Sequence, residues 1–160
     1  MVRTARDKGM RVIIDLVVNH TSDKHPWFRS ARRSVDDPYR QYYVWSPTKP
    51  RSSKAEVVFP DKEDSIWERD EKTGEYYLHH FYRTQPDLNV ANPAVQEEIA
   101  RTLGYWLELG VAGFRIDAVP FLIGRKGADV TEAELDYDFL HDLRDFLQYR
   151  RRDAVMLAEA

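Results

Sequence analysis

A recurring unit constrains this chain more than any other feature. A short apolar, β-branched segment ends on a polar or charged residue and alternates along the chain with amphipathic helical stretches. Val12-Ile13-Ile14-Asp15-Leu16-Val17-Val18 ends on Asn19 and His20, Ala112 to Ile116 ends on Asp117, and Ala154 to Ala158 ends on Glu159. The first segment is apolar on both alternating faces apart from Asp15, which predicts a strand buried on both sides of a parallel sheet. Val2 to Lys8 with Gly9 reads as the last turns of a helix closed by a glycine. Asn92-Pro93 supplies an N-cap and a proline at the first helical position, and Val95, Ile99, Leu103, Trp106 and Leu107 follow at helical spacing until Gly110. Thr131 with Glu134 forms a capping box for a further helix with the stripe Leu135, Phe139, Leu140, Leu143, Phe146 and Leu147. Alternation in this order predicts an α/β fold with right-handed parallel βαβ units, as a barrel or a doubly wound sheet.

The stretch from Thr21 to Val90 is too long for an ordinary connection and holds Trp27, Trp45 and Trp67 of the four tryptophans, so it predicts a small subdomain whose tryptophans mostly fill its own core. Within it, Asp70-Glu71-Lys72-Thr73-Gly74 separates Trp67 from Tyr76-Tyr77-Leu78 and predicts a hairpin. The organisation is therefore residues 1–20 as a helix end and strand, 21–90 as an insert, and 91–160 as helix, strand, helix and strand. A complete barrel needs eight strand and helix units over ~250 residues. Three visible strands predict the middle of a larger catalytic domain, and a chain that by itself exposes strand edges and an apolar inner face and is poorly soluble.

Composition removes several functional classes. Hydrophobic residues make up 42%, enough for a core, while a formal charge of -3 argues against nucleic acid as a partner. Zero cysteines exclude a disulfide scaffold, a thiolate metal site and a cysteine nucleophile. The longest apolar run is broken by Asp15, so neither a membrane span nor a secretory segment is legible, and the expectation is a cytoplasmic protein without a membrane partner. The five histidines show no His-Glu-x-x-His spacing, which argues against a zinc hydrolase. Arg29, Arg32 and Arg33 are followed at once by Asp36 and Asp37 and read as a solvated helix face.

In parallel α/β folds, sites assemble at the C-terminal ends of strands, and here three strands end on reactive groups. Alternation puts Arg115 and Asp117 on one side of their strand. A cation beside a carboxylate keeps it ionised, as a nucleophile requires. Glu159 has only apolar sequence neighbours, a setting that raises a carboxyl pKa toward acid/base work. Two carboxylates in opposed protonation states are what retaining glycoside chemistry uses. A structural ion pair of Arg115 with Asp117 and a solvated Glu159 is the competing reading. Asn19 and Asp87 offer hard oxygen ligands for calcium, with helix capping or turn bonding as the alternative.

Asp15-Leu16-Val17-Val18-Asn19-His20, Gln85-Pro86-Asp87-Leu88-Asn89, Gly113-Phe114-Arg115-Ile116-Asp117-Ala118-Val119-Pro120 and Leu157-Ala158-Glu159-Ala160 resemble, in order, four signature regions of the α-amylase superfamily, glycoside hydrolase family 13. The resemblance implies the central part of a (β/α)8 TIM barrel, about strands 3 to 5, with a domain B insert after strand 3. Val58-Phe59, Trp67, Tyr76-Tyr77 and His80-Phe81 make the insert most similar to the trehalose synthase branch, with α-glucosidases next. Carried over residue by residue, the resemblance implies that Asp117 is the nucleophile and Glu159 the general acid/base. Arg115 holds the nucleophile ionised and joins His20 and Gln85 in contacting the glucosyl unit. Asn19, Asp87 and the carbonyls of Phe121 and Leu122 match calcium positions, so calcium is the implied cofactor, with no organic one, and small α-glucosides are the implied partners. Gly124 and Phe121 depart from that branch, which carries Glu and Tyr there, so one calcium carboxylate is lost. A third catalytic Asp is expected beyond a further strand, which implies that these 160 residues alone are inactive. The functional expectation is maltose–trehalose interconversion by intramolecular glucosyl transfer. Hydrolysis of short α-glucosides, an inactive truncated remnant and a non-catalytic interaction module are the alternatives.

Overall fold

The computed structural model describes residues 1–51, 57–130 and 135–159. Its first element is the short helix α1 (Val2–Asp7), which ends where Gly9 turns the chain at φ 74°. Strand β1 (Ile13–Leu16) follows and leads into the long insert. Helix α3 (Pro93–Glu108), strand β5 (Gly113–Ile116), the short helix α4 (Val119–Ile123), helix α5 (Asp138–Arg150) and strand β6 (Val155–Ala158) complete the chain. The three long-range strands form one parallel sheet in the order β1-β5-β6, with Ile13 opposite Gly113 and Gly113 opposite Val155.

Helices α3 and α5 pack on one face of this sheet. Asn92 caps α3 by accepting from the Ala94 amide at 2.9 Å, and Gly110 closes it at φ 96°, as the sequence predicts. Val95, Ile99 and Leu103 of α3 meet Leu16, Val18, Phe114 and Ile116 of the sheet and Leu143 and Leu147 of α5 in one core. At Gly104 the Phe146 ring of α5 lies 3.9 Å from where a side chain would begin, an ordinary packing distance.

Two expectations are corrected here. The first strand is not buried on both faces: Leu16 and Val18 are in the core, whereas Ile13 and Val17 are 41% and 50% exposed. Their side chains alternate, and the helices cover only the even-numbered side. The second concerns α5. Thr131 and Glu134 lie outside the described residues, and the helix begins only at Asp138, where Asp136 accepts the Asp138 amide at 2.9 Å. A carboxylate at that end meets orphan amide donors and the positive end of the helix dipole. Leu135 is not on the stripe; it bridges to Gly124 and is exposed.

The insert contains helix α2 (Pro26–Ala31), a 3-10 turn at Arg40–Tyr42, and strands β2 (Trp45–Ser46), β3 (Trp67–Arg69) and β4 (Tyr76–Leu78) in an antiparallel sheet of order β2-β4-β3. The predicted hairpin is β3–β4. Its turn is held by the buried Asp70 carboxylate, which accepts from the Thr73 amide and hydroxyl at 3.1 and 2.9 Å and pairs with Arg32 at 2.5 Å. Arg32 is thus tied to the hairpin, unlike a freely solvated cation. Trp67 is buried, Trp45 stacks on Phe28 at 5.7 Å, and Trp27 lies against Tyr39 and Tyr42, so these rings serve packing.

Candidate active site

The end of the insert returns to the end of β1. Thr21 N–H donates to the Pro86 carbonyl at 3.1 Å and Leu88 N–H to the Asn19 carbonyl at 2.8 Å, making an antiparallel bridge of His20 with Asp87. Residues far apart in sequence are thereby joined: Asn19 and His20 from one segment, Gln85 and Asp87 from the other. His20 Nδ1 lies 3.3 Å from the Asn19 side-chain nitrogen, and its Nε2 lies 3.2 Å from the Gln85 carboxamide nitrogen. Burial lowers the His20 pKa, and the charges of Asp87 and Asp117 oppose that shift. Both neighbours present amide N–H groups, and a neutral imidazole accepts at only one ring nitrogen, so His20 takes a hydrogen bond from Asn19 or from Gln85 but not from both.

A second group lies at the ends of β5 and β6, on the face that α3 and α5 leave uncovered. The parallel registers put Asp15 beside Arg115 and Arg115 beside Leu157. Arg115 spans both neighbouring strands, pairing with Asp15 at 3.2 Å through Nη1 and with Glu159 through Nη2. The Asp15 hydrogen bond, with the charges of Glu159 and Asp117, raises the Arg115 pKa further. The guanidinium therefore serves three carboxylates rather than Asp117 alone. Glu159 has this cation beside it, which corrects the apolar surroundings read from its sequence neighbours. Adjacency across parallel strands, not along the chain, sets its environment.

The backbone after Asp117 is unusual. Ala118 is a buried non-glycine residue in the left-handed region at φ 55°, a conformation that costs an ordinary residue about 1–2 kcal/mol. It turns the chain from β5 into α4, and Val119 N–H then donates to the Glu159 carbonyl at 3.1 Å, fastening the end of β6 beside Asp117. Such strain is concentrated at functional sites. A groove of about 900 Å³ adjoins this region, lined in part by Val17, His20, Trp27, Tyr82 and Gln85. Asp117, Arg115 and Glu159 lie outside its lining, on the open sheet face.

The residues expected to hold calcium are arranged differently. Asn19 and Asp87 are fully buried, as a cation site requires, but the Lys126 ammonium stands between them. It donates to Asn19 Oδ1 at 2.7 Å and pairs with Asp87 Oδ2 at 2.8 Å, and the Leu88 and Asn19 carbonyls lie at 3.2 and 3.3 Å. The Phe121 and Leu122 carbonyls are not among the oxygens it meets; both residues sit in α4, and the Phe121 ring packs on His80 and Phe81. His80 gives Asp87 two further hydrogen bonds, from its amide at 3.1 Å and with Nδ1 at 2.7 Å. Burial alone pushes the Asp87 carboxyl up, but Lys126 and His80 outweigh it and hold the group well below the usual carboxylate range. Burial draws Lys126 down and Asp87 opposes this, and four oxygens around one nitrogen identify it as an ammonium. As arranged, these residues do not fit a divalent cation. Sequence reading passed over Lys126, His80 and Asp15, since nothing in a local window links Lys126 to residues 107 and 39 positions earlier.

The model of the alpha-amylase catalytic domain matches residues 1–160. The chain belongs to the alpha-amylase family. Among curated relatives, the trehalose synthase/amylase of Mycobacterium tuberculosis is 44% identical over 160 residues, covering 100% of this chain and 27% of that protein. The oligo-1,6-glucosidase of Parageobacillus thermoglucosidasius is 49% identical over 121 residues, 74% of this chain and 21% of that protein. Among solved structures, the isomaltulose synthase SmuA of Protaminobacter rubrum superposes with a TM-score of 0.85 at 30% identity, covering 99% of this chain and 30% of that one. The chain thus spans about a quarter of the length of these alpha-amylase family enzymes. No helix among the described residues is long and apolar enough to cross a membrane.

Proposed function

We propose that the full-length protein is a retaining α-glucoside enzyme that interconverts maltose and trehalose, and that this chain supplies about strands 3 to 5 of its (β/α)8 barrel, with residues 21–90 as the domain B insert. The observation that carries the reading is the meeting of Asp15, Arg115, Asp117 and Glu159 at the ends of three parallel strands, with His20 close enough to feel the Asp117 charge. The 44% identity to a trehalose synthase across the whole chain supports the choice of substrate.

In this reading Asp117 attacks the anomeric carbon of the bound glucosyl unit. The glycosidic bond breaks as Glu159 gives its proton to the departing oxygen, leaving glucose and a covalent glucosyl ester on Asp117. A different hydroxyl of the same glucose then attacks the anomeric carbon, returning its proton to Glu159 and freeing the Asp117 carboxylate. Arg115 places its positive charge beside both carboxylates, paired with Glu159 and within electrostatic reach of Asp117. His20 and Gln85 hold hydroxyls of the glucosyl unit from the insert side. The same reading puts the reaction in the cytoplasm, with small α-glucosides as the partners.

Hydrolysis is the second reading, favoured by the 49% identity to an oligo-1,6-glucosidase. The two differ only in whether water or the retained glucose attacks the ester. Full-length protein incubated with maltose distinguishes them: trehalose as the main product supports the synthase, and free glucose as essentially the sole product replaces it with the hydrolase. Asp117→Ala should abolish turnover of maltose. Turnover unchanged by that substitution removes the nucleophile assignment.

A further inference from the structure

We infer that Lys126 is the resident cation of the junction between the insert and the sheet, and that this junction neither needs nor binds a divalent metal ion. The inference stands on geometry and is independent of which sugar the protein transforms. Three segments converge on the Lys126 nitrogen: the end of β1 through the Asn19 side chain and carbonyl, the end of the insert through Asp87 and the Leu88 carbonyl, and the loop after α4 that carries Lys126 itself. The Lys126 side chain is 4% exposed and that of Asp87 0%, so the pair is sealed from solvent and cannot exchange its charge for bulk ions without opening.

Charge and coordination exclude a second occupant. Calcium takes 6–8 oxygens at 2.3–2.6 Å, whereas here four oxygens surround the nitrogen at 2.7–3.3 Å, the lengths of N–H···O bonds. The site contains one carboxylate, and His80 engages both of its oxygens. Among the described residues there is no group of three or more His, Cys, Asp or Glu side chains that could hold a metal ion. The single ammonium already balances the single carboxylate, and a divalent ion at the same point would meet its positive charge at contact distance. With Asn19 Oδ1 taken up by Lys126, the Asn19 side-chain nitrogen is left to face His20 and Asp87, so the covalent cation also fixes the amide that holds His20.

The test uses the full-length protein. Lysines are acetylated with acetic anhydride under native conditions in calcium buffer and in EDTA, and modified peptides are read by mass spectrometry. Lys126 should stay at least tenfold less modified than exposed lysines in both buffers. Modification of Lys126 in calcium but not in EDTA means that an ion has displaced it, and overturns the inference. Independently, Lys126→Met keeps the length and removes the charge. Its melting temperature should fall by roughly 5 °C or more, equally with and without calcium, because Asp87 is left buried and unpaired. A Lys126→Met protein with the wild-type melting temperature overturns the inference, as does one that calcium restores to it.

Discussion

Gly113 stands opposite Val155 in the β5–β6 pairing, and a Cβ built on it would lie 2.1 Å from the Val155 carbonyl oxygen and 2.8 Å from its nitrogen. Ordinary contact begins near 3.4 Å, so Gly113→Ala requires a displacement of ~1.3 Å between two backbones. No side-chain rotation relieves this, because every offending atom belongs to the main chain. The strands must part at the bond from Val155 N–H to the Ala112 carbonyl, now 3.0 Å. Overpacking in a core costs typically 1–3 kcal/mol, and a lost ladder hydrogen bond adds about 1 kcal/mol. Glu159 lies four residues on from Val155, just past the end of β6, where Ile116, Val119 and Arg115 hold it, so it moves with β6. In the proposed mechanism, misplacement of Glu159 by about 1 Å costs on the order of 10²-fold in rate. The assay is the full-length Gly113→Ala protein, with thermal unfolding and maltose turnover measured side by side. A stable variant with turnover within about threefold of wild type would falsify the claim that this close approach positions Glu159.

Further perturbations probe other links. Asp70→Ala removes the acceptor of the hairpin turn and leaves Arg32 without its partner, and should destabilise the insert by about 2–3 kcal/mol, seen as faster proteolysis within 21–90; an unchanged cleavage rate contradicts the role given to Asp70. Ala118→Gly relieves the left-handed strain and should raise stability by up to about 1 kcal/mol, whereas a loss of stability on denaturant titration would show that the alanine methyl matters more than the backbone. Burial holds the pKa of His20 and His79 below the ordinary 6.5, so the folded state binds fewer protons there than the unfolded chain. Their contribution is complete above about pH 6.5 and is lost as pH falls through the folded values. Asp87, held below the carboxylate range by Lys126 and His80 against the effect of burial, adds a second loss below about pH 4. Denaturation midpoints that stay flat from pH 7.5 to 5.5 would rule out the histidine part.

Sequence reading located what local rules govern. The α3 boundaries follow from Asn92-Pro93 and Gly110, and the hairpin from Asp70 to Gly74, since capping and turn chemistry act over a few residues. The strand ends bearing His20, Asp117 and Glu159 were legible for the same reason. What escaped depends on pairing between distant segments. The ammonium of Lys126, the bridging of Asp15 and Glu159 by Arg115, and the exposure of Ile13 and Val17 all follow from which strand lies beside which. The start of α5 escaped for a different reason. A capping pattern at Thr131 competes with acceptors at Asp136 that the sequence shows equally well, and Leu135 is drawn off to Gly124.

Neighbouring strands β1 and β5 join residues a hundred positions apart, as in the pairing of Ile13 with Gly113. Closing so long a loop is entropically slow, yet its cost grows only as the logarithm of length, with each doubling adding about 0.6 kcal/mol. Folding order follows: the insert, whose hairpin closes over a few residues, can form before the sheet that brackets it. So does a freedom for the lineage, because the wall beside His20 and Gln85 can be lengthened or rebuilt at little thermodynamic expense. The strands carrying Asp15, Asp117 and Glu159 have no such latitude, since a shift of one residue in either register would turn their side chains to the opposite face.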